Sequence, residues 1–159
     1  KGKYYDIKAL VRYRSGELIY IGATHDGELL ETPDGAVWHS SHVVAPGELE
    51  KIFIKWSSDI ASVAISSFSA LENGTGSFSQ FGAFVRIHNG EQIVEIHAAN
   101  KGANPRSYTL CFCEVIFDKK PNIFDVSNLE SYSKPSSEKR IGYEGTRVVM
   151  DAGPQGLPK

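Results

Sequence analysis

The sequence of 159 residues has little of what marks membrane, nucleic-acid-binding or disulfide-rich proteins. It contains only two cysteines and one methionine, and its 17 basic and 19 acidic residues give a net charge of −2. No apolar run approaches the ~18 residues that a membrane span requires. No excess of positive charge offers a footprint for nucleic acid or an anionic membrane. We therefore expect neither membrane insertion nor nucleic-acid binding.

The two cysteines, Cys111 and Cys113, are both in one apolar run. Residues i and i+2 of a strand point to the same face, with their Cβ atoms too far apart for an ordinary disulfide. We interpret them as small buried residues, which favours a reducing, cytoplasmic compartment. A sequon at Asn73-Gly74-Thr75 leaves a secreted protein as the alternative.

Hydrophobic residues recur with a period of two, which is typical of β-strands. The Asn89-Gly90 pair predicts a type I′ hairpin turn, and the run 108–117, apolar on both faces, predicts a central strand. The first strand, in which Ile7 and Ala9 alternate with Lys8, is expected to be half-buried. The predicted strands are 7–13, 18–21, 36–39, 52–56, 60–68, 81–87, 92–97 and 108–117.

Many short strands with a turn every 8–12 residues predict an all-β sandwich of two mainly antiparallel sheets, with little helix. One helical turn is expected within residues 133–140. We predict a single domain over residues 1–152, followed by a flexible tail rich in Gly and Pro at 153–159.

The chain has no Gly-rich phosphate loop and no G-x-S-x-G motif, and its thiols lie in a strand. We therefore predict that it is not an enzyme. One local cluster has metal-ligand chemistry: two imidazoles three residues apart with acidic residues after them. Its members are His39, His42, Glu48 and Glu50. A metal-dependent hydrolase and a solvated loop without metal are the two interpretations of this cluster.

Aromatic side chains are the other candidates for binding. Most of them are expected in the core, but Trp38 lies among loop residues and is a candidate ligand or partner surface. A glycan-binding, lectin-like sandwich that uses Trp38 is therefore a further alternative. His88 and His97 flank the predicted hairpin turn and are expected on its exposed face.

The order of several segments resembles the TerD family of tellurium-resistance and stress-response domains, and more closely its TerA-type branch. The resemblance covers about residues 4–118, with a looser match at residues 143–145. Its residues are Tyr5-Asp6-Ile7-Lys8-Ala9-Leu10, Asp34-Gly35-Ala36-Val37-Trp38-His39, Gly47-Glu48-Leu49-Glu50-Lys51-Ile52, the strand Ile60–Phe68, the segment Phe81–Ile87 and the segment Leu110–Val115.

The resemblance implies a two-sheet sandwich and a non-enzymatic, cytoplasmic role as a binding or scaffold module. It also implies a calcium site, which this sequence departs from. Asp6 is kept, but Lys8 replaces the second acidic residue of the opening strand, and the segment 40–47 contains no carboxylate. Calcium needs about six to eight oxygen ligands. We therefore expect no cofactor and a degenerate calcium site, and we expect a protein partner or self-association through free strand edges.

Overall fold

The computed structural model describes residues 5–23, 25–41, 49–69 and 78–155. Over these ranges the chain forms strands and no helix, which confirms the all-β prediction. The described residues contain no helix that is long and apolar enough to cross a membrane. The strands are β1 (Tyr5–Tyr13), β2 (Leu18–Ile21), β3 (Val37–His39), β4 (Ile52–Ile54), β5 (Ile60–Ser69), β6 (Phe84–His88), β7 (Ile93–His97), β8 (Thr109–Phe117), β9 (Phe124–Tyr132), β10 (Gly142–Glu144) and β11 (Arg147–Val149).

A five-stranded sheet in the order β2-β1-β5-β8-β9 organises the molecule. Its neighbouring strands are antiparallel, and all ten residues of β5 are buried because both faces of the sheet are covered. The predicted central strand, β8, lies between β5 and β9, as expected. The half-buried prediction for β1 is wrong, since Lys8 and Leu10 on its second face are buried as well.

Two hairpins, β3–β4 and β6–β7, pack on one face of the sheet, which we call the apolar face. The cluster beneath them contains most of the large buried side chains, including Leu110, Phe112 and Val115 from β8. Burial of this surface is the main force that holds the layers together.

The opposite face, which we call the mixed face, has a much smaller apolar cluster. Leu10, Ala64, Cys111 and Ile141 form it, and the β10–β11 hairpin packs against it. Charged and hydroxyl side chains take the remaining positions of this face. The two-layer arrangement on the apolar face and the covered mixed face together confirm the sandwich prediction.

The two cysteines lie on opposite faces of the sheet, so the prediction that they share a face is wrong. Cys111 belongs to the cluster of the mixed face and Cys113 to that of the apolar face. The pairing of β8 with both of its neighbours shifts register between these residues. A bulge inserts one extra residue and breaks the alternation of side chains. Both thiols are free and buried, as predicted.

The predicted hairpin at Asn89-Gly90 is present, but its turn is not type I′. His88 pairs with Ile93, so the loop has four residues, and in it Gly90 alone has a positive φ, 96°. Asn89 Oδ1 accepts hydrogen bonds from the N–H groups of Glu91 and Gln92 at 3.0 and 2.8 Å. A type I′ turn requires a positive φ at both central residues, so the Asn89 side chain closes a turn of a different type here.

The helical turn predicted within residues 133–140 is wrong. Ser136 has a φ of 62°, which a right-handed helix does not allow, and its N–H donates to the carbonyl of Arg106 at 2.8 Å. The same segment also bonds to a later part of the chain, since the N–H of Gly153 donates to the carbonyl of Arg140 at 2.9 Å. Residues 156–159 of the predicted tail lie outside the described residues.

Candidate functional site: a buried ammonium on the mixed face

Lys8 places a positive charge inside the mixed face. Its position in the middle of β1 pairs it with Ser66 of β5, and the residue is 9% exposed. Its Nζ donates to Glu28 Oε2 at 2.6 Å and also contacts Nδ1 of His25. A lysine is rarely buried unless it is paired, so the loop that supplies both partners defines the site.

That loop follows β2, and turn residues give it its shape. Gly27 takes a positive φ of 80°, as the Asp26-Gly27 pair predicts. Glu28 folds back so that its Oε1 accepts the N–H of His25 at 2.9 Å. A Cβ at Gly22 would lie 2.6 Å from this carboxylate, so only glycine allows the approach.

The ion pair shifts the pKa values of both partners. Burial alone would raise the pKa of Glu28, but the hydrogen bonds from His25 and Lys8 and the charge of Lys8 outweigh it and lower the pKa to about 2. Burial lowers the pKa of Lys8, although the charge and hydrogen bond of Glu28 act to raise it. Glu28 is therefore held as a carboxylate, and its charge and hydrogen bond offset part of the burial that disfavours the ammonium form of Lys8.

Phe68 of β5 forms one wall of the site. The ring of His25 meets it edge-on, with centroids 4.7 Å apart, and Lys8 Nζ lies 5.6 Å from its centroid. A cavity of about 20 Å³ adjoins these side chains and is closed on its other side by Arg140. Small-molecule sites in proteins enclose about 300–1,000 Å³. The cavity is therefore too small for an organic substrate.

A second polar network lies farther along the mixed face. The Tyr143 hydroxyl of β10 donates to Glu114 Oε2 at 2.6 Å and also contacts Ser62 Oγ at 3.0 Å. The Arg12 guanidinium lies 5.2 Å from the Tyr143 ring centroid, and its Nε donates to Ser62 Oγ at 3.2 Å. Burial, together with the bond to Glu114, raises the pKa of Tyr143, so the hydroxyl stays a donor. This network fixes the β10–β11 hairpin on the sheet.

The structure brings together some of the predicted metal ligands. His39 Nε2 lies 3.6 Å from Glu50 Oε2, and both side chains reach the backbone of Ile7. The N–H of Ser41 donates to His39 Nδ1 at 3.0 Å, so Nε2 carries the hydrogen and donates to the carbonyl of Ile7 at 3.1 Å. Both ring nitrogens of His39 are thus engaged by backbone groups.

The other predicted site residues are dispersed. Asp6 lies on the face of β1 that holds Lys8. Its charge partly opposes the lowering of the Lys8 pKa by burial. His88 and His97 are exposed, as predicted, but at opposite ends of the β6–β7 hairpin. His42 and Glu48 lie outside the described residues. Within the described ranges no group of three or more His, Cys, Asp or Glu side chains is arranged to hold a metal. The metal cluster stays a prediction.

The donor set of the mixed face does not fit a calcium ion. The carboxylate of Glu28 is bonded to the Lys8 ammonium at 2.6 Å. A calcium site would instead need this carboxylate as a ligand of the ion. His25 supplies nitrogen, which calcium does not favour. Lys8 could be singled out from the sequence through the family resemblance, but His25 and Glu28 could not. The only signal for them was a histidine and an acid flanking Asp26-Gly27, a spacing that many surface turns share.

Trp38 lies half-buried on the outward face of β3–β4 rather than in a loop. Its ring stacks on that of Phe53, with centroids 5.1 Å apart and planes 13° apart. The Nζ of Lys55 lies 5.4 Å from its centroid. This side of the hairpin therefore presents an aromatic pair with a lysine above it.

No protein-family model and no curated protein sequence matches this chain. Solved structures do. A homologue of the telluride resistance protein TerD from Streptomyces coelicolor A3(2) is similar, with a TM-score of 0.53 and 16% sequence identity over 83% of this chain and 82% of the other. A protein of unknown function is similar with a TM-score of 0.52 and 14% identity over 82% and 81%. The sandwich of this chain therefore has a TerD-like fold.

Proposed function

We propose that this chain is a non-enzymatic, cytoplasmic binding or scaffold module of a tellurium-resistance or general stress-response system. The fold supports the proposal, since the Streptomyces neighbour is itself described as a homologue of a telluride resistance protein. Fold alone does not assign function. The further support comes from the residues of the mixed face.

The observation that carries the proposal is the Lys8–Glu28 ion pair. Its side chains are 11% and 1% exposed, and its ammonium already satisfies the carboxylate that a cation would need. The family resemblance implies an acidic calcium ligand at position 8 of the opening strand, and in this chain that position is Lys8, whose ammonium bonds to Glu28. We propose on this basis that the calcium site is degenerate and that the module binds proteins without a metal.

Isothermal titration calorimetry with calcium tests this proposal. We expect no saturable heat below millimolar calcium, before or after treatment with a chelator. Binding at micromolar calcium with a stoichiometry near one would overturn it. Metal analysis of protein purified without chelator addresses the hydrolase alternative, and we expect neither zinc nor iron in stoichiometric amount.

A further inference from the structure

Among the described residues, β4 forms an outer edge without a second strand neighbour on the apolar side of the sandwich. β3 is bonded on both sides, because His39 N–H donates to the carbonyl of Leu30 at 2.7 Å while β3 also pairs with β4. β4 has β3 as its one strand neighbour among the described residues. Unpaired edges of this kind are templates for another strand.

The alternation of hydrogen bonds between β3 and β4 shows which backbone groups of β4 point away from β3. Ser40 N–H donates to the carbonyl of Lys51 at 2.9 Å, and Lys55 N–H donates to that of Ala36 at 2.7 Å. Bonded pairs alternate along an antiparallel ladder. Residues 51, 53 and 55 therefore face β3, and the backbone groups of Ile52 and Ile54 point to the open edge.

A shallow, solvent-open groove adjoins the end of this edge. Its apolar lining comes from Ile54, Trp56 and Phe124, and its polar lining comes from Lys55, Asn89 and Asn122. Trp56 is held in place, since its Nε1 donates to the carbonyl of Asp118 at 2.9 Å. Apolar surface with a few amides at the rim suits an extended peptide, whose backbone needs hydrogen bonds and whose alternate side chains need apolar contact.

The exposed charged residues next to β4 in the chain are lysines. Lys51 and Lys55 are exposed and flank Phe53, which is 40% exposed on the outward face of β4. The turn that carries Asn122 adds Lys119 and Lys120, both exposed. A segment that pairs with β4 would place its side chains beside these lysines. Acidic side chains would complement them.

The same lysines disfavour a second copy of this chain as the occupant. Antiparallel pairing of two β4 edges, centred on Phe53, would place Lys51 of one copy opposite Lys55 of the other. Like charges directly across a ladder are destabilising, and lysines at strand edges commonly prevent self-pairing. The charge at this edge therefore favours a different, acidic chain as the occupant.

From these contacts we infer that β4 binds an extended, acidic segment of a partner protein by strand addition. The segment pairs with the backbone of Ile52 and Ile54, places acidic side chains beside Lys51 and Lys55, and continues into the groove over Trp56. This inference rests on the proposed binding function and names its partner by chemistry. Both tryptophans of the chain lie on or beside the β3–β4 hairpin, so their fluorescence reports occupancy.

The test is selection of random twelve-residue peptides on the whole chain, followed by titration of the enriched peptides against tryptophan fluorescence. We expect peptides that alternate acidic and apolar residues and that shift the amide resonances of Ile52 and Ile54. The double variant Lys51→Glu, Lys55→Glu should weaken their binding by about tenfold or more, since two attractive charge contacts become repulsive.

The matched control is the variant Lys101→Glu, Lys134→Glu, which makes the same change in net charge at exposed positions on other segments. It should leave binding unchanged, and both variants should keep the urea midpoint of the parent chain. Peptides that bind both variants equally, or that shift another surface, would overturn the β4 site while leaving a binding module in place. A library that yields no acidic peptide would also overturn the β4 site, and so would tryptophan fluorescence that responds to sugars instead. The calcium titration tests the proposed function separately.

Discussion

The two faces of the central sheet differ in how they are stabilised. Among the described residues, the apolar face holds nineteen buried side chains in one hydrophobic cluster, whereas the cluster of the mixed face has four. The mixed face also buries Phe68 and several polar side chains, including Lys8, Glu28 and Glu114. A buried ion pair contributes little net stability compared with apolar residues of the same size. The comparison indicates that the apolar face supplies most of the stability of the fold.

The largest expected effect is the loss of one charge from the ion pair. Glu28→Ala would leave the Lys8 ammonium buried without its carboxylate, which should lower the free energy of unfolding by about 3–5 kcal/mol. Urea denaturation measures this change. The double variant Lys8→Met, Glu28→Leu should recover most of the loss, because it removes both charges. If the double variant is as unstable as Glu28→Ala, the ion pair is a source of stability and the contrast between the faces fails.

The pH dependence of stability should report the same pair. Glu28 is the group with a lowered pKa, so its contribution is fully present above its ordinary pKa of 4.5 and is lost as the pH falls towards about 2. Urea midpoints over this window should fall more steeply for the parent chain than for Glu28→Gln. Parallel pH profiles for the two proteins would contradict the assigned pKa.

The tyrosine network on the mixed face should have a smaller effect. Tyr143→Phe removes the donor to buried Glu114, and an unsatisfied buried group costs about 1–3 kcal/mol. Tyr132→Phe is the matched control, since its hydroxyl makes a longer bond, 3.2 Å, to the half-buried Glu130. Thermal or urea unfolding of both variants compares them. Equal losses would show that the Tyr143 hydroxyl contributes no more than that of Tyr132.

Thiol labelling compares how easily each face of the sheet becomes accessible to solvent. We expect the cysteine variants used for it to have the smallest effect on stability. Burial raises the pKa of both Cys111 and Cys113 to about 12, so neither thiol should react in the native state. The short β10–β11 hairpin covers Cys111, and the large cluster covers Cys113. The variant Cys113→Ala, which keeps Cys111, should therefore react with a thiol reagent faster than Cys111→Ala. Equal rates would indicate that the sheet opens as one unit.

The strands with regular alternation could be predicted from the sequence. β2 was predicted with its observed bounds, and β1, β5 and β8 within two residues, because their apolar residues alternate or are continuous. β9 was missed because its sequence, with Ser127, Asn128 and Glu130, is that of a polar edge strand. β10 and β11 are three residues each, too short to show a period.

The site was less predictable than the fold. Lys8 stood out only through the family resemblance, and its partners His25 and Glu28 come from a loop whose path depends on Gly22 and Gly27. The bulge between Cys111 and Cys113 could not be predicted from the sequence. The residues of this run are apolar, so a regular strand and a bulged strand would have the same hydrophobic pattern. Sequence periodicity predicts which residues are buried, but side-chain pairing across loops is set by the tertiary structure.

The central claim is that the Lys8 ammonium fills the position of a cation. Nitrogen-detected NMR of the lysine side chains tests it most directly. We predict a slowly exchanging Lys8 ammonium signal that disappears in Lys8→Met, depends on Glu28 and does not change when calcium is added to several millimolar. A Lys8 signal that calcium shifts or abolishes at micromolar concentration would contradict the account.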